Sequence, residues 1–187
     1  KKLDIEVIAD PEIQIDNMVT SKLIDKFQIK KDQTNILLGI GGSGPTKRIP
    51  ANTFLDVIEK LSKIKKCKFF LATGKNSDEQ ILLNEILKSK FGDLCLPLDS
   101  LSIKEILPII KSCDLSICND SSFSHLSAAL GIKTITLMAD TPLIYGSYSS
   151  KMFPVIPDGE ETVSHNTLGK EKINPQKIFD KIFEIIN

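Results

Sequence analysis

The chain has 187 residues, with 24 Lys and Arg against 24 Asp and Glu, so its formal charge at pH 7 is zero. That balance provides no field to gather nucleic acid or an anionic membrane surface, and with aromatics at 6% and no Trp there is no stacking platform between basic runs. The length is generous for one domain and short for two, so one core with a terminal extension is expected. No apolar run approaches the roughly 20 residues of a membrane span, and no signal peptide is expected either. Four cysteines, Cys67, Cys95, Cys113 and Cys118, form no CxxC pair and lie in or beside apolar runs. Buried reduced thiols in a cytoplasmic protein are therefore expected, rather than disulfides or zinc ligands.

Residues 1–33 are irregular: 5–10 reads as a strand, Pro11 interrupts it, and 16–27 reads as a short helix. The chain opens on Lys1-Lys2 without Met, and this stretch is expected to be an interdomain connection or the tail of a preceding domain. From Asn35 a regular alternation begins. Residues 36–40, ILLGI, are continuously apolar, as in a strand buried on both faces. A helix follows over 51–64 with Phe54, Ile58 and Leu61 on one face, then a strand over 67–72. Ser77 and Gln80 have capping-box spacing before a helix to about residue 90. A short strand at 94–98 precedes a second capping box, Ser102 with Glu105, and a helix that turns Ile103, Ile106, Leu107 and Ile110 inward. Residues 115–118 form the fourth strand, 122–130 a small-residue helix, and 133–138 the fifth strand. The pattern then loosens, 152–156 reads as a sixth strand, and Pro175 opens a last helix with Ile178, Phe179, Ile182, Phe183 and Ile186 as its stripe.

Five or six strand–helix repeats imply right-handed crossovers and a doubly wound, Rossmann-like parallel sheet of about six strands. Ligands on such sheets bind beyond the carboxyl ends of the strands, near the switch point. Three polar turns fall there: 39–47, 73–78 and 119–125. The last of them, Asn119-Asp120-Ser121-Ser122, hands a strand directly to a helix, so unpaired N–H groups and the helix dipole offer an anion site. The bland alternative for this turn is an ordinary N-cap, with His125 packed or solvated. The first turn holds Gly39, Gly41 and Gly44 in GxGxxG spacing. Pro45 and Pro50 delay its helix, however, and the second strand ends Ala72-Thr73-Gly74-Lys75 without the carboxylate that a dinucleotide site requires. Pro45 also stands where a P-loop needs its Lys. What remains is a main chain open to close approach, the Ser43 hydroxyl, and the cations Lys47 and Arg48. If the first and third turns share one sheet edge, they share an anionic ligand, which these residues would hold as a diphosphate.

GGSGPTKRIP after the first strand, ATGKNSDEQ after the second, SLSIKEILPIIKSCDLSICNDSSFSHLSAALG and KTITLMADT together resemble the heptosyltransferases of glycosyltransferase family nine, over residues 34–187. The most specific piece is ND-x-x-x-x-HL-x-AAL-G; Lys47-x-x-Pro50 supports it. The resemblance implies the carboxyl-terminal, nucleotide-sugar-binding half of a GT-B enzyme, with ADP-heptose as donor and inverting transfer to a lipid-linked, lipopolysaccharide-core acceptor. The general base and the acceptor would be held by an amino-terminal domain, and the location would be cytoplasmic, peripheral at the inner membrane. On this resemblance Lys47 is the phosphate-binding lysine; Lys47 and Asp120 are the catalytic candidates, with Asp120 expected to pair with Lys47, cap the helix or accept from a sugar hydroxyl. Gly42, Ser43 and Gly44 lie near the phosphates, and Ser121 and Ser122 follow Asp120 in the place of Asp-Thr-Gly. His125 matches the family's histidine, and Asp78 or Glu79 meets the nucleoside. No metal or other cofactor is implied. The chain departs from the family where Ser122 replaces a glycine, Ile49 an aromatic, and Met138-Ala139-Asp140-Thr141 the usual Gly-Pro-Thr. Another GT-B sugar-nucleotide enzyme and a non-catalytic nucleotide-sugar-binding or interaction domain are the competing expectations.

Overall fold

The structure, a computed structural model, describes residues 10–16, 21, 24–27 and 29–186. The strand expected at 5–10 falls almost wholly outside the described residues. Six strands, β1 (Thr34–Gly39), β2 (Cys67–Ala72), β3 (Cys95–Pro97), β4 (Leu115–Asn119), β5 (Thr134–Leu137) and β6 (Met152–Val155), form one sheet in the order β3-β2-β1-β4-β5-β6. Every pairing is parallel.

Parallel strands need crossovers, and here helices supply most of them: α1 (Ala51–Ser62), α2 (Ser77–Leu87), α3 (Ile103–Lys111) and α4 (Ser122–Ala129), with α5 (Pro175–Ile186) after β6. Because side chains alternate along a strand, the apolar run of β1 serves two cores at once. Ile36 and Leu38, with Phe69, Leu71, Ile117 and Ile135, pack against Phe54, Val57 and Ile58 of α1 and against Ile178 and Ile182 of α5. Leu37 points the other way, joining Phe70, Cys118, Ile109, Ile110 and Phe123 under α3 and α4. Burying one such side chain contributes about 1.5–3 kcal/mol, and β1 buries all but its first residue. This explains why its sequence is continuously apolar.

Several element ends differ from the sequence expectation. The cap of α2 is Asn76, whose side chain accepts from Glu79 N at 3.0 Å. Ser77 is already helical, and Gln80 Nε2 reaches back to Gly74 O at 2.9 Å instead. The helix stops at Leu87, since Gly92 N turns back to Ser89 O and a Cβ on Gly92 would sit 2.1 Å from Leu87 O. Ser102 begins α3 as expected, its N–H and hydroxyl both donating to Glu105 Oε2 at 2.9 and 2.8 Å. On α5 the fully inward stripe is Ile178, Ile182 and Ile185, while Phe183 and Ile186 stay about 40% exposed. The helical period explains this: residue 185 lies seven residues, close to two full turns, beyond 178 and so returns to its face, whereas 186 is carried further round the helix.

The segment that leads into β1 is tied to the fold at two places. Ile13 N donates to Ala129 O at 2.8 Å, and Asp10 accepts from Ser150 N and Ser150 Oγ at 2.9 and 2.6 Å.

Candidate functional site

The chain leaves β1 towards β2 on one side, and β4 lies on β1's other side, so the two loops that leave β1 and β4 diverge above a crevice. Gly39 is paired in register with Cys118, which sets the glycine turn beside Asn119 and Asp120. The approach is close: a Cβ on Gly39 would lie 2.6 Å from Cys118 Sγ and 3.2 Å from Phe123 Cβ. Asn119, fully buried, joins the two loops by donating Nδ2 to Ile40 O at 2.7 Å and to Gly41 O at 3.3 Å. Sequence reasoning placed Asn119 in the turn but gave it no role.

A cleft of about 430 Å³ opens there, with Gly41, Gly42 and Ser43 on one wall and Ser121, Ser122 and Phe123 on the other. Thr73, Gly74, Lys75, Glu79 and Asp99 also line it, and Leu101, Ile103 and Ile106 give it an apolar part. A larger hollow of about 550 Å³, lined by Lys31, Lys65, Lys66 and Asp114, lies around the amino ends of β1 and β4, away from the strand ends that bind ligands in such sheets.

Glu79 is 5% exposed and acts within the protein: Oε1 accepts from Gly42 N at 2.8 Å, and Thr73 Oγ1 lies 3.4 Å from Oε2. The Gly42 N–H, expected near a phosphate, is therefore committed to a carboxylate. Glu79 borders the cleft but braces the glycine turn, which explains why Gly41 and Gly74 lack side chains. A Cβ on Gly74 would meet Glu79 Oε2 at 2.2 Å, and one on Gly41 would press on Glu79 and Thr73 at 3.1–3.2 Å. Asp78 faces away and pairs with Arg48 at 2.9 Å on an exposed surface. Of the two acidic candidates for the nucleoside, only Glu79 lines the cleft. Gly44 also lies outside it, in a turn closed by Lys47 N donating to Gly44 O at 3.2 Å.

Beside the cleft, through Ser121, stands a charged group. Lys47 Nζ is 2.9 Å from Asp120 Oδ2; Asp120 is 6% exposed, and the Lys47 side chain 27%. Thr141 Oγ1 donates to the same Asp120 oxygen at 2.5 Å. The two distant turns thus meet directly, through an ion pair in which the ammonium keeps protons to spare for a ligand. Asp120 faces its cation rather than capping α4. The cap is Ser121, without a side-chain cap hydrogen bond; its hydroxyl is enclosed and unpartnered among the described residues. His125, one turn into α4, puts Nε2 4.0 Å from Asp120 Oδ1 and Nδ1 2.9 Å from Tyr148 Oη.

The segment 138–141, which breaks the family pattern, supports this site twice. Thr141 holds Asp120, and Asp140, 8% exposed, accepts from Leu168 N at 2.8 Å. Burial pushes the Asp140 carboxyl up, but the N–H groups of Leu168 and Asn166 and the Thr46 hydroxyl outweigh it and leave it below the usual carboxylate range. Leu168 and Asn166 both take positive φ, 53° and 74°. Lys170 Nζ reaches Pro45 O at 3.1 Å, so the 164–170 loop buttresses the glycine turn. None of these partners was legible locally. Among the described residues no group of three His, Cys, Asp or Glu side chains could hold a metal ion.

The sequence profile of glycosyltransferase family 9 (heptosyltransferase) matches residues 2–182. A protein of Campylobacter coli, lipopolysaccharide heptosyltransferase 1, is 29% identical over 160 residues, covering 83% of this chain and 46% of that protein. The structure of E. coli ADP-heptose lps heptosyltransferase II superposes with TM-score 0.75 at 20% identity, covering 93% of this chain and 53% of the other. E. coli heptosyltransferase WaaC with ADP gives 0.70 at 16% identity, covering 93% and 51%. This chain spans about half the length of these relatives.

Proposed function

Because the chain belongs to glycosyltransferase family 9, the heptosyltransferases, we propose that residues 34–187 are the donor-binding half of a two-domain GT-B glycosyltransferase, with 1–33 as its connection to the other half. The donor is a nucleoside diphosphate sugar, ADP-heptose by analogy with a relative described with ADP, and the acceptor a lipopolysaccharide-core saccharide. The other half supplies the acceptor site and the general base, and the whole enzyme works in the cytoplasm at the inner membrane surface. The observation that supports this reading is the meeting of the glycine turn and the start of α4 above one cleft, with the Lys47–Asp120 pair at its side.

Transfer of the sugar places growing negative charge on the leaving diphosphate. Free N–H groups of the first turn of α4, the Ser43 hydroxyl and the Lys47 ammonium are donors held in place before the charge develops, which is where electrostatic catalysis is strongest. Asp120 keeps Lys47 extended towards that charge, and its own charge is offset by Lys47 and Thr141. The apolar part at Leu101, Ile103 and Ile106 offers a surface for the flat face of a base.

Calorimetry with ADP tests the reading. Lys47→Ala removes a charged donor and leaves Asp120 unpaired, so ADP affinity should fall about tenfold or more; unchanged affinity removes Lys47 from the site. A melting-temperature panel of ADP, UDP, GDP and CMP identifies the base, and no shift with any of them counts against nucleotide binding altogether.

A further inference from the structure

The loop between β5 and β6 lays Tyr148 against the imidazole of His125. The rings stack with centroids 5.6 Å apart and planes 21° from parallel, and the phenol oxygen lies 2.9 Å from Nδ1. The other ring nitrogen, Nε2, is turned towards Asp120 Oδ1, 4.0 Å away. We propose that Tyr148 is a positioning residue that holds neutral His125 as its Nε2–H tautomer, so that the imidazole presents a hydrogen-bond donor on the Asp120 side of the nucleotide site.

In a neutral imidazole one nitrogen donates and the other accepts, so the partner of one fixes the role of the other. If Tyr148 donates to Nδ1, Nε2 carries the proton and faces a carboxylate, an attractive arrangement. If Nδ1–H donated to the phenol oxygen, the bare lone pair of Nε2 would face the same carboxylate. Asp120, 4.0 Å away, therefore tips the bond so that Tyr148 donates, and the 2.9 Å bond from Tyr148 in turn holds the tautomer. Burial and the neighbouring Asp10 carboxylate push the Tyr148 hydroxyl above its usual range, so it remains a donor through neutral pH. Asp10 also pins the loop itself, bonding Ser150 two residues beyond Tyr148. Among the described residues the ionisable groups around His125 are Asp120 from the β4–α4 turn, Lys47 paired with it from the glycine turn, Tyr148, and Asp10 beyond the tyrosine. The rest of α4, SFSHLSAA, carries no charge.

The ligand in this inference rests on the donor-site reading, but the tautomer does not, and the experiment separates them. Nitrogen-15 NMR of the ligand-free chain reads the tautomer of each histidine directly; there are two in the sequence, and His165→Gln assigns them. Wild-type His125 should show Nε2–H, drifting to a mixture in Tyr148→Phe; an Nδ1–H signal in the wild type overturns the proposal without any variant. ADP is then titrated into the wild type, Tyr148→Phe, His125→Ala and the double variant. Tyr148→Phe should bind about three- to tenfold more weakly, the value of one neutral hydrogen bond, and in the His125→Ala background the same change should make less than about a twofold difference. An equal loss in both backgrounds makes Tyr148 a packing residue and overturns the inference. If the wild type shows Nε2–H yet binds no ADP, the positioning stands and the nucleotide reading fails.

Discussion

At the scale of single residues the site consists of buried polar groups, each held by a partner from a distant part of the chain. Asp140 is the plainest case, because one carboxylate collects N–H groups from 166 and 168 and the hydroxyl of Thr46. Its carboxyl is held below the usual range, so the stabilisation is fully present above the unfolded value near 3.8 and disappears as pH falls through the folded value. Asp140→Asn should therefore lower stability by about 1–2 kcal/mol at pH 7, with urea midpoints drawing towards the wild type's as the pH falls below the unfolded value of 3.8. A gap that stays the same as the pH falls would mean that the carboxylate's charge is irrelevant. The thiols behave oppositely. Burial pushes Cys118 up to about 12 and Cys95 up to about 11. Since thiolates are what alkylate, native protein at pH 8 should resist maleimide at both positions while urea-unfolded protein reacts at once; rapid native labelling would show that β3 or β4 opens readily.

At the scale of elements, spacing matters more than any one contact. Helix α4 rests on the ends of β1 and β4 because Gly39 has no side chain where Cys118 and Phe123 pass. Gly39→Ala puts a methyl 2.6 Å from Cys118 Sγ, which is fully buried and has no room to retreat. The variant should lose about 1–3 kcal/mol, and because the start of α4 moves with it, ADP affinity should fall too; a stable variant with full affinity would show that the helix start does not set the site. Helix α2 shows how local reading succeeds and then slips by one residue. Its existence and its acidic first turn follow from the sequence pattern, but Asn76 and Ser77 are both competent caps. The fold uses Asn76, whose Oδ1 accepts from Glu79 N at 3.0 Å and also lies 3.4 Å from Arg48 Nη1. Asn76→Ala should cost about 1 kcal/mol, read as a lower melting temperature.

At the scale of the molecule, the sheet order places β1 and β4 in the centre, with the point where the strand order reverses between them. These strands are buried on both faces and should retain their amide hydrogens longest, whereas β3, three residues long and at an edge, should exchange sooner. Faster exchange in β4 than in β3 would contradict this packing. In a GT-B enzyme the reaction lies in a cleft between two halves, and this chain spans about half the length of its relatives. We expect the chain alone to bind ADP without transferring sugar, and to gain transfer only with the acceptor-binding half; turnover by the chain alone would place the base within residues 1–187.

The sequence by itself determined the strand–helix alternation, the parallel sheet and the three turns at its carboxyl edge, because apolar periodicity and backbone chemistry act over a few neighbouring residues. It also selected the group of Lys47, Asp120, Ser121 and His125, through motif spacing. Only the tertiary structure decided how these residues spend their bonding capacity. Glu79 braces Gly42, Asp120 faces Lys47 and Thr141, and Asp140 and Tyr148 enter the surroundings of the site from a loop that had no readable pattern. A buried polar atom must find a partner wherever the folded chain brings one within about 3 Å, and that partner is set by the packing of whole elements, which no local stretch of sequence encodes.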